Sequence, residues 1–169
     1  MKRISIILFC ILLLSGGVYY IKAQSGSQLS SKNNLRTEDF KIMNIYLGQP
    51  ISEALSVLGQ PIKVVNGEEL SECNKYYYFP NIMIGEHTFH AGKVGYILVS
   101  KSGIKTFRGI EVGSSEKDII DRYGSKKKYH DSLSYGENKE NALFANLISF
   151  IIDKNGKVKE ILIQYASTL

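Results

Sequence analysis

The sequence predicts an α+β domain of two tandem repeats, each a short helical lead followed by an antiparallel β-meander, with the helices packed on the sheet. Three observations predict it. Ile45, Leu47, Gly48, Glu53, Leu55, Leu58 and Gly59 recur as Ile110, Val112, Gly113, Asp118, Ile120, Tyr123 and Gly124, each 65 residues later. Gly92 to Val99 (Gly-Lys-Val-Gly-Tyr-Ile-Leu-Val) recurs as Gly156 to Ile163 (Gly-Lys-Val-Lys-Glu-Ile-Leu-Ile), 64 residues later. Self-similarity that drops one residue between matched blocks is a duplication that altered a loop and kept its elements. The third observation is the turn chemistry between the apolar runs, above all Asp153-Lys154-Asn155-Gly156, since Asn and Gly accept positive φ.

The elements follow in chain order. Met1-Lys2-Arg3 precedes an apolar run from Ile4 to Ile21, the pattern of an export signal or signal anchor over residues 1–23. Residues 24–39 are poor in apolar and rich in small polar side chains, which reads as a flexible polar tether. Residues 40–169 form the domain, with repeat one at about 40–104 and repeat two at about 105–169. In the first helix Pro50 sits where helices accept proline, Ile51, Ala54, Leu55 and Leu58 share a face, and Gly59 caps the end. In the second, Ser114 or Ser115 caps the start, Ile119, Ile120 and Tyr123 form the stripe, and Gly124 closes it. About nine residues is too short for a helix to persist alone, so both must pack on something. Strands are predicted at 62–65, 75–79, 88–90, 94–99, 126–129, 147–152 and 158–165.

The blocks Leu47-Gly48-Gln49-Pro50 through Leu58-Gly59-Gln60-Pro61 and Gly109-Ile110-Glu111-Val112-Gly113 through Tyr123-Gly124 resemble the superfamily of the β-lactamase inhibitory protein and the outer-membrane assembly lipoprotein SmpA/OmlA. The second block is also similar to stretches in CAP-associated domains of Gram-positive surface proteins. The resemblance covers about residues 40 to 166 and implies an envelope-facing binding module without catalysis. Two departures keep those families' partners from being transferred. The inhibitory proteins carry disulfides, and the assembly lipoproteins carry a lipobox and usually one repeat.

Composition narrows the function classes. Only Cys73 lies outside the leader, so no intramolecular disulfide closes the domain, and it must hold together through its core. Lys2, Arg3 and Lys22 belong to the leader, which has no acid, leaving 18 basic against 16 acidic residues. A nearly neutral exported domain gives no reason to expect nucleic acid as a partner. The expected partner is an envelope or secreted protein, with the membrane reached through the N-terminal segment.

Candidate chemistry is sparse. His87 and His90, read on a strand, point to opposite faces and do not converge on a metal. His130-Asp131 beside Ser132 and Ser134 contains the residue types of a hydrolase triad, without the elbow or spacing that nucleophilic catalysis uses. No phosphate loop or Cys-x-x-Cys occurs, and no cofactor is expected. Lys126, Lys127 and Lys128 form an alternative surface for anionic lipid or wall polymer.

Eleven Tyr and no Trp favour interfaces, since Tyr joins an apolar body to a polar tip. Tyr96 occupies the slot of Glu160, and a mid-strand Glu faces water. Tyr96 is therefore expected on the outer sheet face with Val94 and Leu98 at the same parity, and Tyr76 and Tyr78 beside them, as the partner-binding surface.

Overall fold

The computed structural model describes residues 34–67, 73–137 and 144–167, so the leader and most of the expected tether lie outside the described residues. Among the described residues no helix is long and apolar enough to cross a membrane. The chain from Leu35 onward forms one compact α+β unit. A 3-10 turn at Thr37–Phe40 leads into a small hairpin, β1 (Lys41–Ile42) and β2 (Ile45–Tyr46). Then follow α1 (Ile51–Leu58), β3 (Lys63–Asn66), β4 (Cys73–Tyr78), β5 (Ile82–His87), β6 (Val94–Val99), α2 (Glu116–Tyr123), β7 (Ser132–Gly136), β8 (Phe144–Ile152) and β9 (Val158–Ser167).

Seven strands make one antiparallel sheet in the order β3-β4-β5-β6-β9-β8-β7, so β6 and β9 meet at its centre. The register carries one apolar row across all seven: Val64, Tyr77, Ile84, Ile97, Ile163, Ile148 and Tyr135. A second row of Ile82, Val99, Ile161, Phe150 and Leu133 lies beside it. Side chains two apart share a face, and both helices pack on this one. Ile51 and Ala54 of α1 and Ile119 and Tyr123 of α2 join it in a single core.

The helices exist for local reasons as well. Ser115 accepts a hydrogen bond from the Asp118 N–H at 3.1 Å, and Asp118 accepts one from the Ser115 N–H at 2.8 Å, a reciprocal capping box. Gly59 and Gly124 end their helices at φ of 81° and 92°, where a Cβ would be strained. Each helix is eight residues long, below the length that is stable alone, so burial of Ile51, Ala54, Ile119 and Tyr123 holds it.

Several expectations need correction. The tether was expected to reach residue 39, yet Leu35 packs against the core and Asp39 is fully buried. Asp39 is held there by Arg108, whose Nε and a terminal nitrogen each donate to one carboxylate oxygen at 2.7 Å. Residues 126–129 form no strand, and Tyr129 makes only an isolated bridge to Ser132. The strand read at 88–90 is a turn, and β5 runs before it. A bulge explains the most consequential difference. Gly85 pairs with Tyr96 and Glu86 with Val94, so Gly95 is extra. One extra residue reverses the parity beyond it. Val94 is thereby turned into the core at 0% exposure, and it is not a surface residue.

Two predictions follow from the buried polar groups. Removing one partner of a buried ion pair leaves the other charge uncompensated. Asp39→Ala should therefore lower stability by about 3 to 5 kcal/mol in urea unfolding, and Asp39→Ala with Arg108→Met should cost less than the sum of the two single changes. Burial pushes the Tyr123 and Tyr135 phenols up to about 12 from 10.0. The folded state thus keeps protons that the unfolded chain has lost. Stability is complete below about pH 10 and falls as pH rises toward about 12. Tyr123→Phe with Tyr135→Phe should flatten that alkaline fall in unfolding free energies measured from about pH 9 to pH 11.

Candidate functional site

The face of the sheet opposite the helices carries two rows that also cross all seven strands. One is Lys63, Tyr78, Met83, Leu98, Leu162, Ser149 and Ser134. The other is Val65, Tyr76, Gly85, Tyr96, Gln164, Leu147 and Gly136. Tyr76, Met83, Tyr96, Leu98, Leu147 and Leu162 are half-buried, and Tyr78 is 36% exposed. Lys63 is the one charged side chain in the two rows, and its ammonium lies 5.8 Å from the centre of the Tyr78 ring. Such a cation–π contact leaves the row's aromatic character intact.

Gly85 shapes the middle of this face. Between Tyr76 and Tyr96 it has no side chain, and the two rings meet edge-on with centroids 6.3 Å apart and planes at 87°. The thiol of Cys73 fills the rest of the space. A Cβ on Gly85 would collide with Cys73 Sγ and come within 3.0 Å of Tyr96 Cβ. Cys73 is buried at 2% exposure, which removes it from the surface where it could join a second chain.

The structure thus brings Tyr76, Tyr78, Tyr96 and Leu98 onto one face and takes Val94 away from it. Met83 and Leu162 belong to the same face and were missed from sequence. β5 went unrecognised, although Ile82-Met83-Ile84 is a short apolar run between turn residues. For Leu162 the signal was present, because it stands 64 residues after Leu98 at the matching place of a similar sequence block.

The other candidates are scattered or already engaged. The Lys126 ammonium lies 5.9 Å from the Tyr135 ring centre, Lys128 pairs with Glu116 at 3.1 Å, and Lys127 is exposed on the same irregular stretch. His130 sits at φ 51° in a tight turn closed by reciprocal bonds between Tyr129 and Ser132. Its ring contacts Tyr129 at 4.5 Å. Ser134 Oγ instead lies 3.2 Å from Ser132 Oγ and 2.8 Å from Ser149 Oγ, a hydroxyl ladder along the sheet. His87 and His90 come together rather than apart, with ring centroids 4.9 Å apart. The turn that replaces the expected strand at 88–90 allows it. Among the described residues no group of three or more His, Cys, Asp and Glu is placed to hold a metal ion.

No protein-family model and no curated protein matches the sequence. Among solved structures, the chain is similar to the crystal structure of a DUF4309 family protein (YjgB) from Bacillus subtilis subsp. subtilis str. 168, with 12% sequence identity and a TM-score of 0.44. The match covers 80% of this chain and 89% of that one.

The Gly85 contacts carry a prediction. Gly85→Ala forces Cys73 or Tyr96 aside, and overpacking of this sort costs about 1 to 3 kcal/mol. Adding Cys73→Ala should recover part of the loss in urea unfolding. The near-UV circular dichroism of the Tyr76–Tyr96 pair should change in the single variant and return toward the parent in the double.

Proposed function

We propose that this protein is an internally duplicated, exported α+β module that binds a partner protein of the cell envelope through the helix-free face of its sheet, without catalysis. The observation that carries the reading is the pair of outer rows, in which Tyr76, Tyr78, Met83, Tyr96, Leu98 and Leu162 stand together and Lys63 is the one charged member. Tyrosine and methionine are enriched, and charge depleted, at the cores of protein interfaces. The leader's basic residues and apolar run support export, and the same segment supplies a membrane anchor if it is retained.

The duplication is supported by hydrogen bonds at matching positions. Gly48 N–H donates to Val94 O at 2.7 Å, and Val94 N–H to Gln49 O at 2.8 Å. Gly113 N–H donates to Val158 O, and Val158 N–H to Ser114 O, both at 2.8 Å. Ile51 N–H reaches Gly92 O as Glu116 N–H reaches Gly156 O. The bulge at Gly95 has its counterpart at Lys159, which is extra between the pairs Ile151–Glu160 and Ile152–Val158. Both bulges directly follow a buried Val turned inward, Val94 and Val158.

Tyr96→Ala with Leu98→Ser changes the face and leaves the core rows untouched. The folded double variant should lose the protein that the parent captures in crosslinked envelope extracts, and Lys126→Ala with Lys127→Ala should retain it. If the Tyr96/Leu98 variant keeps that protein at parental yield, the sheet-face reading is wrong. A second discriminator is salt. Binding by aromatic burial persists as ionic strength rises, whereas lysine-driven binding to lipid or wall polymer weakens steeply.

A further inference from the structure

Beside the end of β5 lies a small cavity of about 240 Å³, lined by Gly48, His87, His90, Lys93, Val94 and Tyr165. Its walls are fixed by contacts that leave little freedom. A Cβ on Gly95 would fall 2.8 Å from both Cα and Cβ of His87, so the bulge glycine is what lets His87 sit against the β6 backbone. The His87 ring packs on Tyr165 at 5.1 Å and on His90 at 4.9 Å. Asn74 Nδ2 donates to the carbonyls of His87 and Thr88 at 3.2 and 3.4 Å, and Glu86 Oε1 accepts from the Gly92 N–H at 2.7 Å. The turn is held from both sides.

The chemistry of the lining is one-sided. His87 Nδ1 accepts a hydrogen bond from the Phe89 N–H at 2.9 Å, so the neutral ring carries its proton on Nε2 and is a donor there. His90 adds a second imidazole, Lys93 an ammonium and Tyr165 a phenol. Among the described residues no carboxylate lines the cavity. The neighbouring Glu86 spends its oxygens on the Gly92 N–H and, at 3.4 Å, the Tyr77 hydroxyl. Two imidazoles without a third ligand, beside an ammonium, suit a metal cation poorly. They suit an anion well.

We propose that this cavity binds a phosphate-type oxyanion, with Lys93 supplying fixed charge and His87 Nε2 and His90 supplying directed donors. The space accommodates a phosphate group with part of an ester, so a free oxyanion and the phosphate of a lipid headgroup share the required chemistry. The site is separate from the outer rows and does not rest on the partner reading.

The groups facing His87 also set the pH dependence. They are His90 and Lys93 from the turn, Tyr165 from β9, Glu86 on its own strand, and Cys73 opposite on β4. Burial, and then the charge of His90, hold His87 below its ordinary 6.5. A bound anion favours the cationic ring over the neutral one, which then gives up the Phe89 N–H bond to Nδ1, so binding strengthens as pH falls and raises the pKa of His87.

Sulfate is a suitable probe because it stays dianionic from about pH 5.5 to pH 8, leaving the pH dependence to the protein. In full-length protein in neutral-detergent micelles, sulfate should shift the His87 and His90 imidazole NMR signals saturably. It should bind more tightly at the lower pH and raise the His87 titration midpoint. Lys93→Met and His90→Gln, neither of which touches the Phe89 to His87 bond, should each weaken sulfate about tenfold or more. Doping the micelles with phosphatidylglycerol separates the sources. Competition with sulfate, relative to phosphatidylcholine, assigns the site to a lipid phosphate, and its absence alongside saturable sulfate binding assigns it to a free oxyanion. Shifts that rise linearly with sulfate, or that persist unchanged in both variants, overturn the proposal.

Discussion

The ion pair between Asp39 and Arg108 is the constraint on which the rest of the domain depends. Asp39 is fully buried, and its carboxylate receives two bonds from Arg108 and one from the Arg36 N–H at 2.9 Å. Arg108 also donates to Arg122 O at 2.8 Å and lies 4.7 Å over the ring of Tyr123. One guanidinium thus joins the start of the domain, the loop before α2 and the last turn of α2. Its fork geometry is what allows it, since a lysine could supply charge but not several bonds in fixed directions. Desolvation means that such a pair adds little net stability over an apolar replacement. What it fixes is position, because a buried carboxylate tolerates few alternative packings around it.

Glycine placement does for the sheet what the ion pair does for the first residues of the domain. Gly95 is the extra residue that sends Val94 into the core, and it also leaves room for His87. Gly85, one strand away, opens the outer face so that Tyr76 and Tyr96 meet across it. The two rows of half-exposed side chains and the cavity at the end of β5 therefore have a common origin. Both arise where β5 and β6 lack a Cβ, and a substitution at either glycine alters the surface as well as the fold.

Much of the architecture was legible because it rests on local rules. The Gly-bounded helices, the Asp153 to Gly156 hairpin and the apolar alternation of 94–99 and 158–165 are each specified within a few residues. β7 is not among the predicted strands, which place the strand after the second helix at 126–129, although Ser132-Leu133-Ser134-Tyr135 alternates with period two. Other features were out of reach. A bulge is a relation between two strands, and nothing in Gly92 to Val99 alone shows that Gly95 is unpaired. The burial of Asp39 depends on Arg108, 69 residues away. The meeting of His87 and His90 depends on a turn bonded to Asn74 of the neighbouring strand. Tyr96 and Leu98 could be placed from parity because the register is regular there, and Val94 could not because it lies beyond the bulge.

On the duplication reading, the two halves share their inner rows and differ on the outer ones. The β3–β6 half presents Tyr76, Tyr78, Met83, Tyr96 and Leu98, whereas the β7–β9 half presents Ser132, Ser134, Ser149, Gly136 and Gln164, with Leu147 and Leu162 nearest the centre. The inner rows are constrained by helix packing, so both copies must keep Ile and Val there. No such constraint acts on the outer rows. The serines satisfy one another in a ladder that asks nothing of a partner, while aromatic side chains left half-exposed incur a hydration cost that a partner would remove. An interface on this face would therefore be lopsided, with its centre on Tyr96 rather than on the pseudo-symmetric seam between β6 and β9.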